Sequence, residues 1–164
     1  MASQALTVHV STSGVRQVLR AFARLPKEAS EQIRDTSLRL AQDLADDVAH
    51  AARARGGQAA LMAPTVKAVR DRVPAITAGG ATRVGRHHAS AWRLLFASEF
   101  GMNRRSGWYA AAQYRASTGR QYGPHLGAHS YWFFKEVGRH EGDIERAWGR
   151  SADAIVRSFR RGGV

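Results

Sequence analysis

The side chains able to do chemistry are few, and their spacing limits what they can do. His87 and His88 are adjacent, so on most regular backbones they point in different directions. His125 and His129 stand four apart, the spacing that turns two imidazoles toward one metal on a helix, but Pro124 and Gly127 argue against a helix there. No acid sits at a matching offset to complete a zinc set. The chain has no cysteine, which removes thiolate sites and disulfides. Loop histidines are therefore expected, with no metal and no cofactor. For hydrolysis there is no G-x-S-x-G elbow, and Gly79-Gly80 and Gly85 lack the Lys-Ser/Thr of a phosphate-binding loop. Glu99, in Ser98-Glu99-Phe100-Gly101, is an isolated acid in a basic region. As a general base it would point to a small nuclease-like toxin. As a structural group it would pair with a nearby arginine or cap the turn at Gly101, and that is the reading adopted.

Arginine is the other group with chemical reach. Arg83, Arg86, Arg93, Arg104 and Arg105, together with His87 and His88 and with Trp108 and Tyr109 interleaved, hold the ingredients for phosphate contact and base stacking. No helix-turn-helix, zinc-finger or RNA-recognition signature organises them. Non-specific contact with DNA is thus the nucleic-acid reading, and a solvated basic face is its bland counterpart. The formal charge of +12 is unevenly placed: six bases balance six acids within residues 1–50, so the whole excess lies beyond them. Such an imbalance favours a polyanionic neighbour, either nucleic acid or an acidic protein surface.

The elements that must position these groups follow from periodicity. At 164 residues the chain suits one domain, with a helical region over 1–55, strands and basic loops over 56–130, and an aromatic run with a C-terminal helix over 131–161. Leu6–Val10 alternates like a short strand. Val15, Val18, Leu19, Phe22 and Leu25 trace one helical face, which Pro26 interrupts. From Pro26 to about Ala54 there is no Gly, and Ile33, Leu40, Ala41, Leu44 and Val48 form a narrow stripe. A helix of that length spans about 40 Å, with Arg53 and Arg55 favouring its C-terminal dipole and Gly56-Gly57 ending it. Either it packs against a neighbouring subunit or it bends. Thr65–Val73 alternates as a half-exposed strand, Pro74–Ala78 is its expected partner, and Gly79-Gly80 turns beyond. Residues 91–96 fit a short helix or a strand equally, and 102–130 reads as a long functional loop or arm. Ile144, Trp148, Ser151, Ile155 and Phe159 mark the final helix, acidic in its first turns and basic at its end. No apolar run approaches the ~18 residues of a membrane span. The N-terminus lacks the features of a signal peptide, so a soluble, intracellular protein is expected.

Tyr131-Trp132-Phe133-Phe134 is the densest aromatic run. Four consecutive aromatics cannot all face one core from a single helix or strand. Trp132 and one phenylalanine are expected to pack under the C-terminal helix near Ile144 and Trp148, and the others to meet a neighbouring subunit.

The order of these features resembles the tail-completion, or head–tail joining, proteins of long-tailed bacteriophages, in the form found in phages of high-GC hosts. A long helical region leads to a strand pair, then to Phe96-Ala-Ser-Glu99-Phe100-Gly101, an Arg-rich loop, the Tyr131–Phe134 run and an amphipathic helix. The similarity covers roughly residues 15–161. It implies an α+β fold with helices packed on a small antiparallel sheet. It also implies assembly as a ring, commonly a hexamer, in the virion neck between a portal-side adaptor or stopper and the tail tube or its terminator, around a DNA channel. It implies no reaction and no cofactor. Subunit contacts would fall on Glu99, Phe100 and Tyr131–Phe134, and partner or DNA contacts on Arg83, Arg86, Arg93, Arg104 and Arg105.

Overall fold

Helix-forming, apolar-periodic segments became helices, and β-branched segments next to glycine turns became short strands. The computed structural model describes residues 5–9, 15–24, 26–102, 122–125 and 129–161. In chain order these form β1 (Ala5–His9), α1 (Val15–Phe22), α2 (Lys27–Arg55), α3 (Gly57–Met62), a 3-10 turn (Ala63–Thr65), β2 (Lys67–Val69) and β3 (Ala75–Gly79). The hairpin strands β4 (Arg83–Val84) and β5 (Ala89–Ser90), then α4 (Ala91–Phe100) and α5 (Phe133–Arg161), complete the described chain. The protein is α+β. One sheet has the order β1-β3-β2, and β2 and β3 run antiparallel with Lys67 opposite Thr77 and Val69 opposite Ala75.

The chain divides into two compact units, each assembled from three stretches of sequence: 1–6, 46–66 and 78–136 in one, and 7–45, 67–77 and 137–164 in the other. The division therefore differs from the sequence-based partition at 55 and 130, because α2 and α5 each contribute residues to both units.

The unit holding most of α5 is built on an ordinary apolar cluster. Phe22, Ala29, Ile33, Trp148 and Ala152 are its buried members, with Val15, Val18, Leu40, Ile155 and Phe159 against them. All of these except Ala29 and Ala152 are positions that the helical stripes of the sequence single out. One polar group is buried with them. Ser37, fully inaccessible, donates its hydroxyl to the Arg72 carbonyl at 2.9 Å. The Trp148 indole N–H donates to Ser37 Oγ and to the same carbonyl, each at 3.0 Å. Buried indoles need such a partner, and here it ties α2, the β2–β3 turn and α5 together. On the surface Arg70 donates to Glu31 at 2.7 Å and to Asp35 at 2.8 Å. That contact holds the Glu31 carboxyl below its ordinary range, chiefly through the hydrogen bond from Arg70.

The other unit packs α3 on α4. Thr65 is buried between elements and both donates and accepts, giving its hydroxyl to the Met62 carbonyl at 2.7 Å and receiving the Gly79 N–H at 3.0 Å. The strand expected over Thr65–Val73 is shortened to Lys67–Val69, because Thr65 is committed to the 3-10 turn and residues 71–73 bend toward β3. Residues 91–96, ambiguous by pattern, are helical. The C-terminal helix also starts earlier than its acidic first turns suggested: it begins at Phe133, so the second half of the aromatic run opens it and Gly138 and Gly142 lie inside it.

Candidate interaction surface

That early start has a specific cause. A helix leaves its first four N–H groups without intrahelical partners, and at α5 all four are taken by side chains. Glu99 Oε2 accepts from Trp132 N at 3.2 Å and from Phe133 N at 2.8 Å. Glu99 Oε1 accepts from Phe134 N at 2.9 Å, and Ser130 Oγ accepts from Lys135 N at 2.6 Å. The next N–H, of Glu136, makes the first helical bond, to Trp132 O. A carboxylate at a helix N-terminus also gains from the helix dipole. Glu99 is 2% exposed, so it is no surface contact, and its partners among the described residues are backbone N–H groups that make it the cap of a helix more than thirty residues downstream. Both of its oxygens accept from backbone N–H groups at the start of α5, which gives Glu99 a structural role in this fold.

Glu99 is placed by the end of α4. The helix stops at Gly101, whose φ of +73° suits glycine. A Cβ there would come within 2.2 Å of the Pro124 carbonyl oxygen and 2.6 Å of that of Gly123, so no other residue fits. Met102 N bonds to Gly123 O, Tyr131 N bonds to Glu99 O at 2.8 Å, and Met102 bridges Pro124 in parallel. The Tyr131 hydroxyl donates to Pro124 O at 2.8 Å, and the Arg55 guanidinium lies 4.6 Å from the centre of its ring. The Glu-Phe-Gly turn is thus a clamp on the start of α5.

The clamp sorts the aromatic run. Trp132 and Phe133 are buried, at 2% and 0% exposure, while Phe134 is 37% exposed and Tyr131 half-buried. At this exposure Glu99, Trp132 and Phe133 have no side-chain surface to offer a neighbouring subunit. Phe134 continues instead into a row of rings on α4. Phe100 stacks on it at 5.9 Å and Phe96 on Phe100 at 6.3 Å, and Phe96 is 49% exposed. Phe96, which opens the Phe96–Gly101 motif, was not among the contact residues expected from sequence. The four-residue spacing of Trp92, Phe96 and Phe100, which places them on one helical face, was the available signal. Behind the row, edge-to-face contacts of 5.3 Å (Phe133–Phe134) and 5.5 Å (Trp132–Phe133) lead into the interior.

Of the basic candidates, Arg83, Arg86 and Arg93 are exposed. Arg93 lies over the Trp92 ring at 5.3 Å. Arg104 and Arg105 lie outside the described residues, as does most of the 102–130 segment. His125 Nδ1 donates to the Phe100 carbonyl at 3.0 Å. Among the described residues no group of three or more potential ligands could hold a metal ion, and no helix is long and apolar enough to cross a membrane. The chain matches no protein-family model, no curated protein and no solved structure.

Proposed function

We propose that this chain is a structural protein of a long-tailed bacteriophage virion, a tail-completion or head–tail connector component of the neck. In this reading it forms a ring, a hexamer as the family resemblance implies, between the portal-side adaptor or stopper and the tail tube or its terminator, around a channel for DNA. The observation that supports it is the row Phe96–Phe100–Phe134. Three large rings are held stacked at the surface by a buried frame, two of them far more exposed than aromatics in a finished core. Contiguous exposed apolar patches mark interaction sites, and rigid aromatic anchors carry much of the energy of protein interfaces. In a closed ring the row would meet a different patch on the neighbour, since each contact is head-to-tail. The role needs no cofactor and no reaction. The order of sequence features supplies the neck assignment.

Native mass spectrometry and negative-stain imaging of the full chain, alone and with the portal-side protein, test the reading. A ring is expected from the wild type. Phe96→Asp combined with Phe134→Asp should give a folded monomer that is less stable by about 1–3 kcal/mol, since each ring is also partly packed, with circular dichroism confirming that it is folded. A wild-type protein that stays monomeric at all concentrations and is absent from purified particles would remove the proposal.

A further inference from the structure

From Arg72 to Ser98 the chain contains no Asp or Glu, yet it carries Arg72, Arg83, Arg86 and Arg93. Two of these arginines sit on the β4–β5 hairpin, where Arg83 pairs with Ser90 and Val84 with Ala89. Its connecting turn is Gly85-Arg86-His87-His88, closed by His88 N to Gly85 O at 3.1 Å. Gly85 and His88 both take left-handed backbone, at φ +69° and +50°. Arg83 is held in place: its Nη1 donates to the His88 carbonyl at 3.1 Å, a bond that uses one of five guanidinium donors. Arg86 Nη2 lies 3.5 Å from His87 Nε2. The hairpin is itself mounted firmly, because Ala91 N bonds to Thr82 O at 2.8 Å and Trp92 N to Gly80 O at 3.1 Å. A Cβ on Gly85 would touch Leu61 Cδ1 at 3.1 Å, so the turn rests directly on α3.

We infer that the β4–β5 hairpin is a binding tip for the phosphodiester backbone of nucleic acid, with Arg83 and Arg86 as its phosphate contacts and no reading of bases. Every residue from Ala81 to His88 except Val84 is exposed. The tip offers guanidinium and imidazole groups on a fixed backbone, with no exposed large apolar residue. Protein interfaces rely on an apolar, aromatic-rich centre, which this surface lacks. Contacts to a phosphate backbone need only positive charge and N–H donors in a fixed position, and carry no sequence information. The tip is a different surface from the phenylalanine row and does not rest on the neck reading. Rings without nucleic-acid affinity, or affinity without rings, would separate the two.

Fluorescence anisotropy with a labelled duplex DNA, and with a single strand of the same length, measures the inference on the full chain across a salt series. Binding should be strongest near about 50 mM salt, and log K should fall with log salt at a slope of about 0.9 per phosphate for the duplex and about 0.7 for the single strand. Arg83→Ala with Arg86→Ala should flatten the duplex slope by about 2, and Arg86→Ala alone by about 1. The single variant spares the Arg83 bond that holds the turn, so it remains informative if the double variant misfolds. Arg83→Lys with Arg86→Lys should keep the slope, since charge alone sets it. Arg157→Ala with Arg160→Ala removes the same charge from the exposed end of α5 and should leave the slope unchanged. Three results overturn the inference: no affinity for either probe at about 50 mM salt, equal slope loss in the α5 control, or displacement of DNA by polyglutamate of equal charge as effectively as by unlabelled DNA.

Discussion

Two tryptophans on or beside α5, Trp132 and Trp148, are nearly equally inaccessible, and they are buried in different ways. Trp148 sits in a mixed apolar cluster with its indole N–H shared between Ser37 Oγ and the Arg72 carbonyl. Trp132 has no partner for its indole N–H among the described residues, and its ring leads through Phe133 and Phe134 to the exposed row on α4. The first is a finished core, where shape and polar groups are both satisfied. The second anchors a surface. Its backbone is fixed by Glu99, while its indole makes no hydrogen bond to the described residues. An apolar cluster specifies stability, and an aromatic wedge held by a distant carboxylate specifies where rings are displayed.

Substitutions can break that contrast. Trp148→Ala should have the largest effect, about 3–5 kcal/mol of folding free energy for a buried large aromatic, read from denaturant unfolding. Glu99→Gln comes next at about 2–3 kcal/mol, since one of its two accepting oxygens becomes an amide donor facing buried N–H groups. Hydrogen exchange at the amides of residues 132–134 should accelerate, while exchange around Trp148 follows only the change in global stability. If those amides stay protected, the cap assignment fails. Trp148→Phe against Trp132→Phe sharpens the contrast further. The first leaves Ser37 and the Arg72 carbonyl without the indole donor and should cost about 1–2 kcal/mol more than the second, which removes an N–H that has no partner. Equal costs would mean that Trp132 is satisfied by residues outside those described.

The smallest effect concerns pH. Arg70 lowers the folded-state pKa of Glu31 from its ordinary value of 4.5. A depressed carboxyl pKa contributes stability that is present above the unfolded pKa and is lost as pH falls through the folded one. Arg70→Ala should therefore reduce stability slightly near neutral pH and flatten its fall below about pH 4.5. The site is solvent-exposed, so the change should be small and should shrink further in high salt.

Much of the fold was readable in advance because it rests on local period. The stripe Ile33, Leu40, Ala41, Leu44, Val48 became the inner face of α2, and Val15, Val18 and Phe22 became that of α1. The alternation after Val66 and the Gly79-Gly80 turn placed β2 and β3. The start of α5 was misplaced for the complementary reason. Its cap comes from Glu99, and a bond between residues so far apart in sequence leaves no periodic trace. The candidate site was readable in part. The Glu-Phe-Gly turn and the aromatic run were both singled out, but their relation was not, and Phe96 was missed because one exposed phenylalanine on a short helix looks like core from sequence.

The α+β class came with the family resemblance, while local pattern alone was enough for the presence of a long helix near each end, the glycine punctuation and the concentration of positive charge beyond residue 50. Each depends on spacing or composition within one segment. That an acid in a basic stretch caps a helix, that Gly101 must lie against the Pro124 carbonyl, and which of four adjacent aromatics are inside all depend on contacts between distant segments. Those outcomes depend on which distant backbone groups arrive with unmet hydrogen bonds, and that is settled only when the chain has closed on itself.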